Sequence, residues 1–283
     1  MILPFDSHNH VHMGPSMPQE AFLPPSETHV DWALGGMAIM STHPRDWQRV
    51  YDLTSELSCA KVVPCFGVHP WFLHEVDSGI EQTSPSWLQE LEDRLQSTPG
   101  SIVGEIGLDG FHFDPVTKDL VTPMERQVIA FRSQMELAGR LGKNVSVHTV
   151  RCFGPLMEVL SQLKKQKILP PKIYFHAFGG KVGTVDQLLA LCGREPGQVY
   201  FGFAPVINFR SPKTADIVKR VGLERLLLET DHEDASLVPG SMKESISFLS
   251  DVLECSEQHL IEQTTANAYE FYGLNRESNE AHP

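Results

Sequence analysis

The stretch "FDSHNH" at residues 5–10 stands at the start of the chain, and "LLLETDH" at residues 226–232 stands near its end. Both combine strand-like apolar residues with histidine and carboxylate side chains, which are common metal ligands. In a closed parallel barrel the first and last strands are neighbours, and all strands open their carboxyl ends on one face. We therefore expect these distant stretches to meet at one pocket.

Strand-like and helix-like segments alternate between these two ends. The strand-like segments are apolar and often β-branched, as strands buried on both faces should be; they lie at residues 3–6, 36–41, 61–68, 102–106, 144–148, 172–176, 198–203 and 225–229. Helical patterns are found at residues 44–57, 85–96, 122–141, 155–165, 185–192, 212–221 and 242–254.

Eight strands that alternate with helices predict an α/β fold of the (β/α)8 TIM-barrel type. We predict a single barrel domain over residues 1–274, followed by a polar tail at 275–283. A doubly wound open sheet is the alternative fold. The barrel is favoured because ligand-type residues come from the first and the last strand, which only closure makes neighbours.

The bulk composition limits the class of protein. A net charge of −13 disfavours broad, non-specific binding to nucleic acid, but leaves room for a local phosphate site. There is neither a secretory signal pattern nor an uncharged apolar run long enough to cross a membrane. The chain has five cysteines, an odd number, and none of them forms a CxxC pair: Cys59, Cys65, Cys152, Cys192 and Cys255. This favours reduced thiols, and hence the cytosol or nucleus.

A first metal site is predicted from the two ends of the chain. His8 and His10 are two positions apart, so on one strand their side chains share a face and can bind one ion together. Asp231, at the end of the last strand, would lie beside them. There it could bind the same ion and accept a proton from the attacking water, which makes it a candidate catalytic residue.

A second metal site is predicted from the middle strands. Glu105, in "IVGEIGLD", stands at the predicted end of the fourth strand. Its carboxylate could bridge two ions, which would give it a catalytic role. His148 in "VSVHTV" and His176 in "IYFHAFGG" stand at the ends of the fifth and sixth predicted strands and would complete the second ion's ligands. Such a site points to hydrolytic chemistry with two divalent metals, for which Zn, Mg and Mn all remain open.

The motifs "DSHNH", "FGVHPW", "GEIGLD", "VHT", "HAFGG", "LLLETD" and "ANAYEFYG" appear in this order. With them the chain resembles the TatD family of metal-dependent deoxyribonucleases, which belongs to the amidohydrolase-like barrels, over residues 5–274. The pattern "VSVHTVRCFG" is closer to a fungal subgroup described as partners of a TPR-type cell-cycle subunit.

This resemblance implies a metallo-dependent hydrolase barrel with two divalent metals that cleaves phosphodiester bonds, often as a 3′→5′ exonuclease acting on DNA ends. The family's ligand positions match His8, His10, Glu105, His148, His176 and Asp231. The likeness also favours His69 of "FGVHPW" as a substrate contact. Arg151 and Lys181 follow the fifth and sixth strands; they are either phosphate contacts or solvated loop charges.

Two departures from the family pattern lie at the rim. Gly110 intervenes before the aromatic Phe111, and the residues at 232–234 that follow Asp231 are "HED" rather than a small residue and proline. Both leave the predicted ligands intact and bear on the substrate. Two alternatives therefore stay open: hydrolysis of a small-molecule ester, lactone or amide, and a role as a protein partner of a TPR-type subunit.

Overall fold

The computed structural model describes residues 2–15, 33–57, 61–76 and 87–275. Eight parallel strands form one sheet whose spatial order follows the chain. The strands are β1 (Phe5–Asn9), β2 (Gly36–Met40), β3 (Lys61–Phe66), β4 (Ile102–Asp109), β5 (Val145–Val150), β6 (Ile173–Phe175), β7 (Val199–Gly202) and β8 (Leu226–Leu227).

The sheet closes on itself just beyond β8. The backbone N–H of Ser7 donates to the carbonyl of Leu228 over 2.8 Å, and the N–H of Asp231 donates to the carbonyl of His8 over 3.0 Å. The chain that follows β8 is thus held against β1. The barrel prediction is confirmed, and the open-sheet alternative is wrong.

Helices lie at each of the seven predicted positions, with ends that differ by a few residues, and the described residues contain three further helices that were not predicted. In α4, Phe131, Met135 and Ala138 are buried at spacings of four and three, which places them on one helix face. Gly142 ends this helix at a φ of 64°, a conformation that favours glycine. The helices are α1 (Trp47–Glu56), α2 (Leu73–Val76), α3 (Leu88–Ser97), α4 (Met124–Leu141), α5 (Phe153–Gln166), α6 (Val182–Cys192), α7 (Pro205–Asn208), α8 (Thr214–Val221), α9 (Val238–Leu253) and α10 (Glu257–Tyr272).

The last helix, α10, is missing from the sequence prediction, although its caps mark it. The hydroxyl of Ser256 accepts a hydrogen bond from the backbone N–H three residues on, and Gly273 ends the helix at a φ of 66°. Phe271 packs its ring 5.7 Å from that of Tyr174, in a buried cluster that includes the first residues of several strands. Helix α10 therefore covers the end of the barrel at which the strands begin.

Some predictions concern residues outside the described ranges. Of the predicted rim segment at 11–35, Val11–Met13 forms a 3₁₀ turn, whereas residues 16–32 lie outside the description. The same holds for Cys59, for the start of the helix predicted at 85–96, and for residues 276–283 of the predicted tail. None of the helices among the described residues has the length and apolar character to cross a membrane.

Candidate metal centre

Glu105 lies at the centre of the site, but not at the end of its strand. Strand β4 continues four residues beyond it to Asp109, which pairs with Val150 of β5. The prediction that Glu105 ends the strand is wrong because the apolar run "IGL" after it is buried as further strand. The carboxylate is consequently sunk into the barrel mouth, and only 3% of its side chain is exposed.

The two oxygens of Glu105 face two different pairs of histidines. Oε2 lies 3.1 Å from Nε2 of His10 and 3.5 Å from Nε2 of His8. Oε1 lies 2.6 Å from Nε2 of His176 and 3.0 Å from Nδ1 of His148. One carboxylate thus contacts both predicted ligand groups, as a bridge between two ions requires.

The first ligand group joins the two ends of the chain. The Nε2 atoms of His8 and His10 are 3.3 Å apart, and Oδ1 of Asp231 lies 3.7 Å and 3.6 Å from them, respectively. Asp231 lies four residues after the end of β8, and its backbone φ is 57°. This backbone turn and its hydrogen bond to β1 bring the carboxylate to the histidine pair.

The second ligand group comes from neighbouring strands. His148 lies within β5, and His176 immediately follows β6. Their facing nitrogens, Nδ1 of His148 and Nε2 of His176, are 3.3 Å apart. Nε2 of His69, which follows β3, is 3.4 Å from Oε1 of Glu105. All six predicted ligands are therefore brought together with His69.

Contacts behind the ligands fix which nitrogen faces the site. Nδ1 of His10 lies 2.9 Å from the carbonyl oxygen of Met40, which can only accept. Nε2 of His148 lies 3.2 Å from the carboxylate Oδ2 of Asp109. These nitrogens must carry the protons, so the unprotonated nitrogens of both neutral rings point inward. Lone pairs that face a buried carboxylate fit a bound cation.

The pKa values of the site residues show that positive charge is favoured beside Glu105, where a cation would bind. Burial alone would lower the pKa of His10, but its hydrogen bond to Glu105 raises it to about 9. The pKa of His148 is also lowered by burial and raised to about 9 by hydrogen bonds to Asp109 and Glu105. Burial would raise the pKa of Glu105, yet the charges of surrounding histidines hold it well below its usual value. The site thus favours an ionised carboxylate with positive charge beside it.

The three predicted substrate contacts differ in position. His69 lines a cavity of about 140 Å³, and its Nδ1 accepts a hydrogen bond from the backbone N–H of Trp71, so the proton of the neutral ring is on Nε2. Arg151 is exposed outside that cavity, with its guanidinium 3.9 Å from the ring centre of Phe111. Lys181 is exposed at the start of α6 and does not line the cavity.

Asp109 has a role in the site that the sequence analysis missed. Its Oδ2 accepts hydrogen bonds from Nε1 of Trp71 over 2.7 Å and from the His148 ring over 3.2 Å. Its Oδ1 accepts the backbone N–H of Phe111 over 2.7 Å. Asp109 lies an even number of positions after Glu105 in the same motif, and this alternation could have indicated a side chain directed at the same pocket.

Comparisons with known proteins agree with this geometry. The profile of the family described as TatD related DNase matches residues 5–273. Cut9-interacting protein scn1 of Schizosaccharomyces pombe is 24% identical in an alignment that covers 87% of this chain and 95% of that protein. Deoxyribonuclease TATDN3 of Homo sapiens is 26% identical over 253 residues, or 83% of each protein.

The fold comparison gives the same result. The crystal structure of YjjV, a TatD homolog from Escherichia coli K12, superposes with a TM-score of 0.73 at 22% identity, over 96% of this chain and 98% of that one. At this level of identity the likeness concerns the fold. The family match itself spans all eight strands and every predicted ligand. The resemblance predicted from the motifs is confirmed, and the chain belongs to the TatD related DNase family.

Proposed function

We propose that the protein is a two-metal phosphodiesterase that removes nucleotides from DNA ends in the 3′→5′ direction. The position of Glu105 carries this proposal, since each of its oxygens faces a different histidine pair. The two divalent ions, of Zn, Mg or Mn, would share Glu105. The other ligands would be His8, His10 and Asp231 for one ion. For the other ion they would be His148 and His176, which both contact Oε1 of Glu105.

Ions bound there would act as Lewis acids on a phosphate and lower the pKa of water. We assign to Asp231 the acceptance of a proton from the attacking water; burial, which raises the pKa of its carboxyl group, and its position in the lining of the cavity support this role. We assign to His69 the donation of its Nε2 proton to a phosphate oxygen, because it also lines the cavity. Glu105 stays ionised, and its negative charge stabilises the positive charge around it.

The cavity and the charge of the chain favour an accessible, single-stranded end as the substrate. A volume of about 140 Å³ suits a phosphate group with part of its neighbouring sugar. A net charge of −13 works against an extended duplex, because binding to a duplex depends on neutralisation of many phosphates. A flexible end needs to deliver only one phosphate at a time.

The test is a substrate panel with the metal-loaded protein. We expect single-stranded DNA labelled at the 5′ end to shorten stepwise, closed circular single-stranded DNA to stay intact, and the salt dependence of the rate to be shallow. A lactone, a dipeptide and a simple carboxylic ester complete the panel. Efficient cutting of the circle, or faster turnover of a small-molecule substrate, would contradict the proposal.

The small-molecule alternative is supported by the same acidic charge and by the altered rim, so the panel decides between the two substrate classes. A protein partner is supported by a relative that is named as a Cut9-interacting protein. We propose this as a role beside catalysis. It is tested by a pulldown of a TPR-type subunit with the inactive variant Glu105→Gln, once its fold has been verified by circular dichroism.

We also propose that the protein acts in the cytosol or nucleus. Four cysteines of the described part of the chain are free, and Cys65 and Cys152 among them are buried. Free thiols suit a reducing compartment. A fluorescent fusion protein would locate the chain, and secretion into the medium would contradict this proposal.

A further inference from the structure

We infer that exposed aromatic side chains beside the metal cavity form a platform on which the unpaired bases of a single-stranded nucleic acid stack. We call this platform the aromatic shelf, and it consists of Trp71, Phe111 and Phe113. The inference rests on the proposed function for its choice of ligand. It adds how the protein would hold a strand whose end phosphate enters the cavity.

The shelf exposes an unusual amount of aromatic surface. Trp71 is 40% exposed, Phe111 is 51% exposed and Phe113 is 45% exposed. The rings of Phe111 and Phe113 contact each other edge to face, with centroids 5.7 Å apart. Trp71 stacks on His112, the residue between them, at 4.7 Å. His112 and Asp109 thus hold Trp71 beside the segment that carries the two phenylalanines.

The shelf adjoins the metal centre and is fixed relative to it. Trp71 lines the cavity, and its ring centroid lies 6.2 Å from that of His148. The carboxylate of Asp109 accepts hydrogen bonds from Trp71, from the backbone of Phe111 and from His148. One buried carboxylate thus holds both the shelf and a metal-site histidine. A strand bound on the shelf would have its end within reach of the cavity.

The charge beside the shelf suits a nucleic acid strand. The guanidinium of Arg151 lies over the ring of Phe111, with its central carbon 3.9 Å from the ring centre. Guanidinium planes and aromatic rings both stack on bases without preference for sequence. The cation also brings local positive charge to the backbone of the strand in a chain whose net charge is −13. Stacking would supply affinity that this acidic protein cannot obtain from many phosphate contacts.

The first experiment measures binding without cleavage. Fluorescence anisotropy would follow a labelled ten-nucleotide oligothymidine with phosphorothioate linkages, bound to the metal-loaded protein. Phe111→Leu keeps apolar bulk but removes the π face, and should weaken binding about tenfold, the size of one lost stacking contact. Phe111→Trp should bind as tightly as the unmodified protein.

Tyr51→Ala is the matched control, because Tyr51 is an aromatic residue that is 43% exposed on the outer helix α1. It should bind like the unmodified protein. If Phe111→Leu binds no more weakly than Tyr51→Ala, the shelf is overturned. Because Phe111 is exposed, its replacement does not open a cavity in the core.

The second experiment compares the hydrolysis of two oligonucleotides that differ only in their bases. One is the ten-nucleotide oligothymidine, and the other carries abasic sites at its last three nucleotides. Loss of the bases should raise KM about tenfold for the unmodified protein, and this ratio should fall towards one in Phe111→Leu. Equal ratios in both proteins would overturn the shelf. Hydrolysis of neither oligonucleotide would contradict the proposed phosphodiesterase, while the anisotropy experiment still decides the shelf.

Discussion

Asp231 contacts His8 twice: its backbone N–H donates to the His8 carbonyl over 3.0 Å, and its carboxylate Oδ1 lies 3.7 Å from the His8 ring nitrogen Nε2. The backbone contact closes the barrel, and the side-chain contact joins a histidine and the carboxylate of the first ligand group. The seam of the barrel and the first ligand group are therefore one structure. Metal binding at this seam can be tested ligand by ligand.

Replacement of both His8 and His10 by alanine should remove about one equivalent of metal, since the two rings converge with Asp231 on one position. Inductively coupled plasma mass spectrometry of the purified protein measures the metal content, and circular dichroism verifies the fold. His259→Ala is the control and should keep both equivalents, because His259 is exposed on the outer helix α10. Unchanged metal content in the double variant would contradict the assignment.

Glu105→Gln should weaken both metals, whereas His148→Ala should weaken mainly one, because only Glu105 faces both histidine pairs. The glutamine keeps the shape and removes the charge. If catalysis needs both ions, turnover should fall at least about 10³-fold, or roughly 4 kcal/mol of transition-state stabilisation. Metal content and rate, measured on both variants, decide this. Two bound metals and near-normal turnover in Glu105→Gln would show that Glu105 does not bridge the two ions.

Asp109→Asn should weaken metal binding about 10- to 100-fold without removal of a ligand, as is usual when a hydrogen bond behind a metal-binding histidine is lost. The physical reason is that His148 loses the carboxylate that fixes its tautomer. Competition with a coloured chelator measures the affinity. Asp119→Asn, an exposed position in the following loop, is the control. Equal affinities for both variants would remove Asp109 from the site.

The metal-free protein should lose stability between about pH 6.5 and 9. His10 and His148 have pKa values raised from 6.5 to about 9 in the folded state. Folding therefore takes up protons, and the resulting stabilisation is complete below pH 6.5 and lost as pH rises through 9. Urea unfolding at several pH values measures this. The metal-loaded protein should respond less, because an ion replaces the protons. A flat profile for the metal-free protein would contradict the raised pKa values of His10 and His148.

Phe271→Ala should lower the free energy of unfolding by about 3–5 kcal/mol, the usual cost of the removal of a buried phenylalanine. Phe271 is fully buried at the closed end of the barrel and packs on Tyr174 and Tyr200. Tyr51→Ala should change stability by no more than about 0.5 kcal/mol, because Tyr51 is exposed. Urea unfolding of both variants gives the comparison. Similar losses would exclude α10 from the stabilising core.

The barrel and the convergence of the candidate ligands were predictable because alternation along a strand and the common direction of parallel strands are encoded locally. His8 and His10 share a face by spacing alone. The position of Glu105 inside β4 was not predictable from the residues "IGL" that follow it. Such apolar residues suit either a longer strand or a loop that packs on the strand. The link from Asp109 to Trp71 was missed for another reason: it joins β4 to the 3₁₀ turn Pro70–Phe72 that follows β3, and no local pattern specifies that distance.

The seam between His8 and Asp231 also sets the time at which the protein can become active during its synthesis. The two residues are separated by 223 positions (231 − 8). A ribosome that adds about 5–20 residues per second needs on the order of 10–45 s to make that length. Throughout this interval the nascent chain carries both histidines of the first ligand group without its carboxylate. A partly made chain therefore lacks the complete site, and hydrolysis must wait until the last strand has left the ribosome.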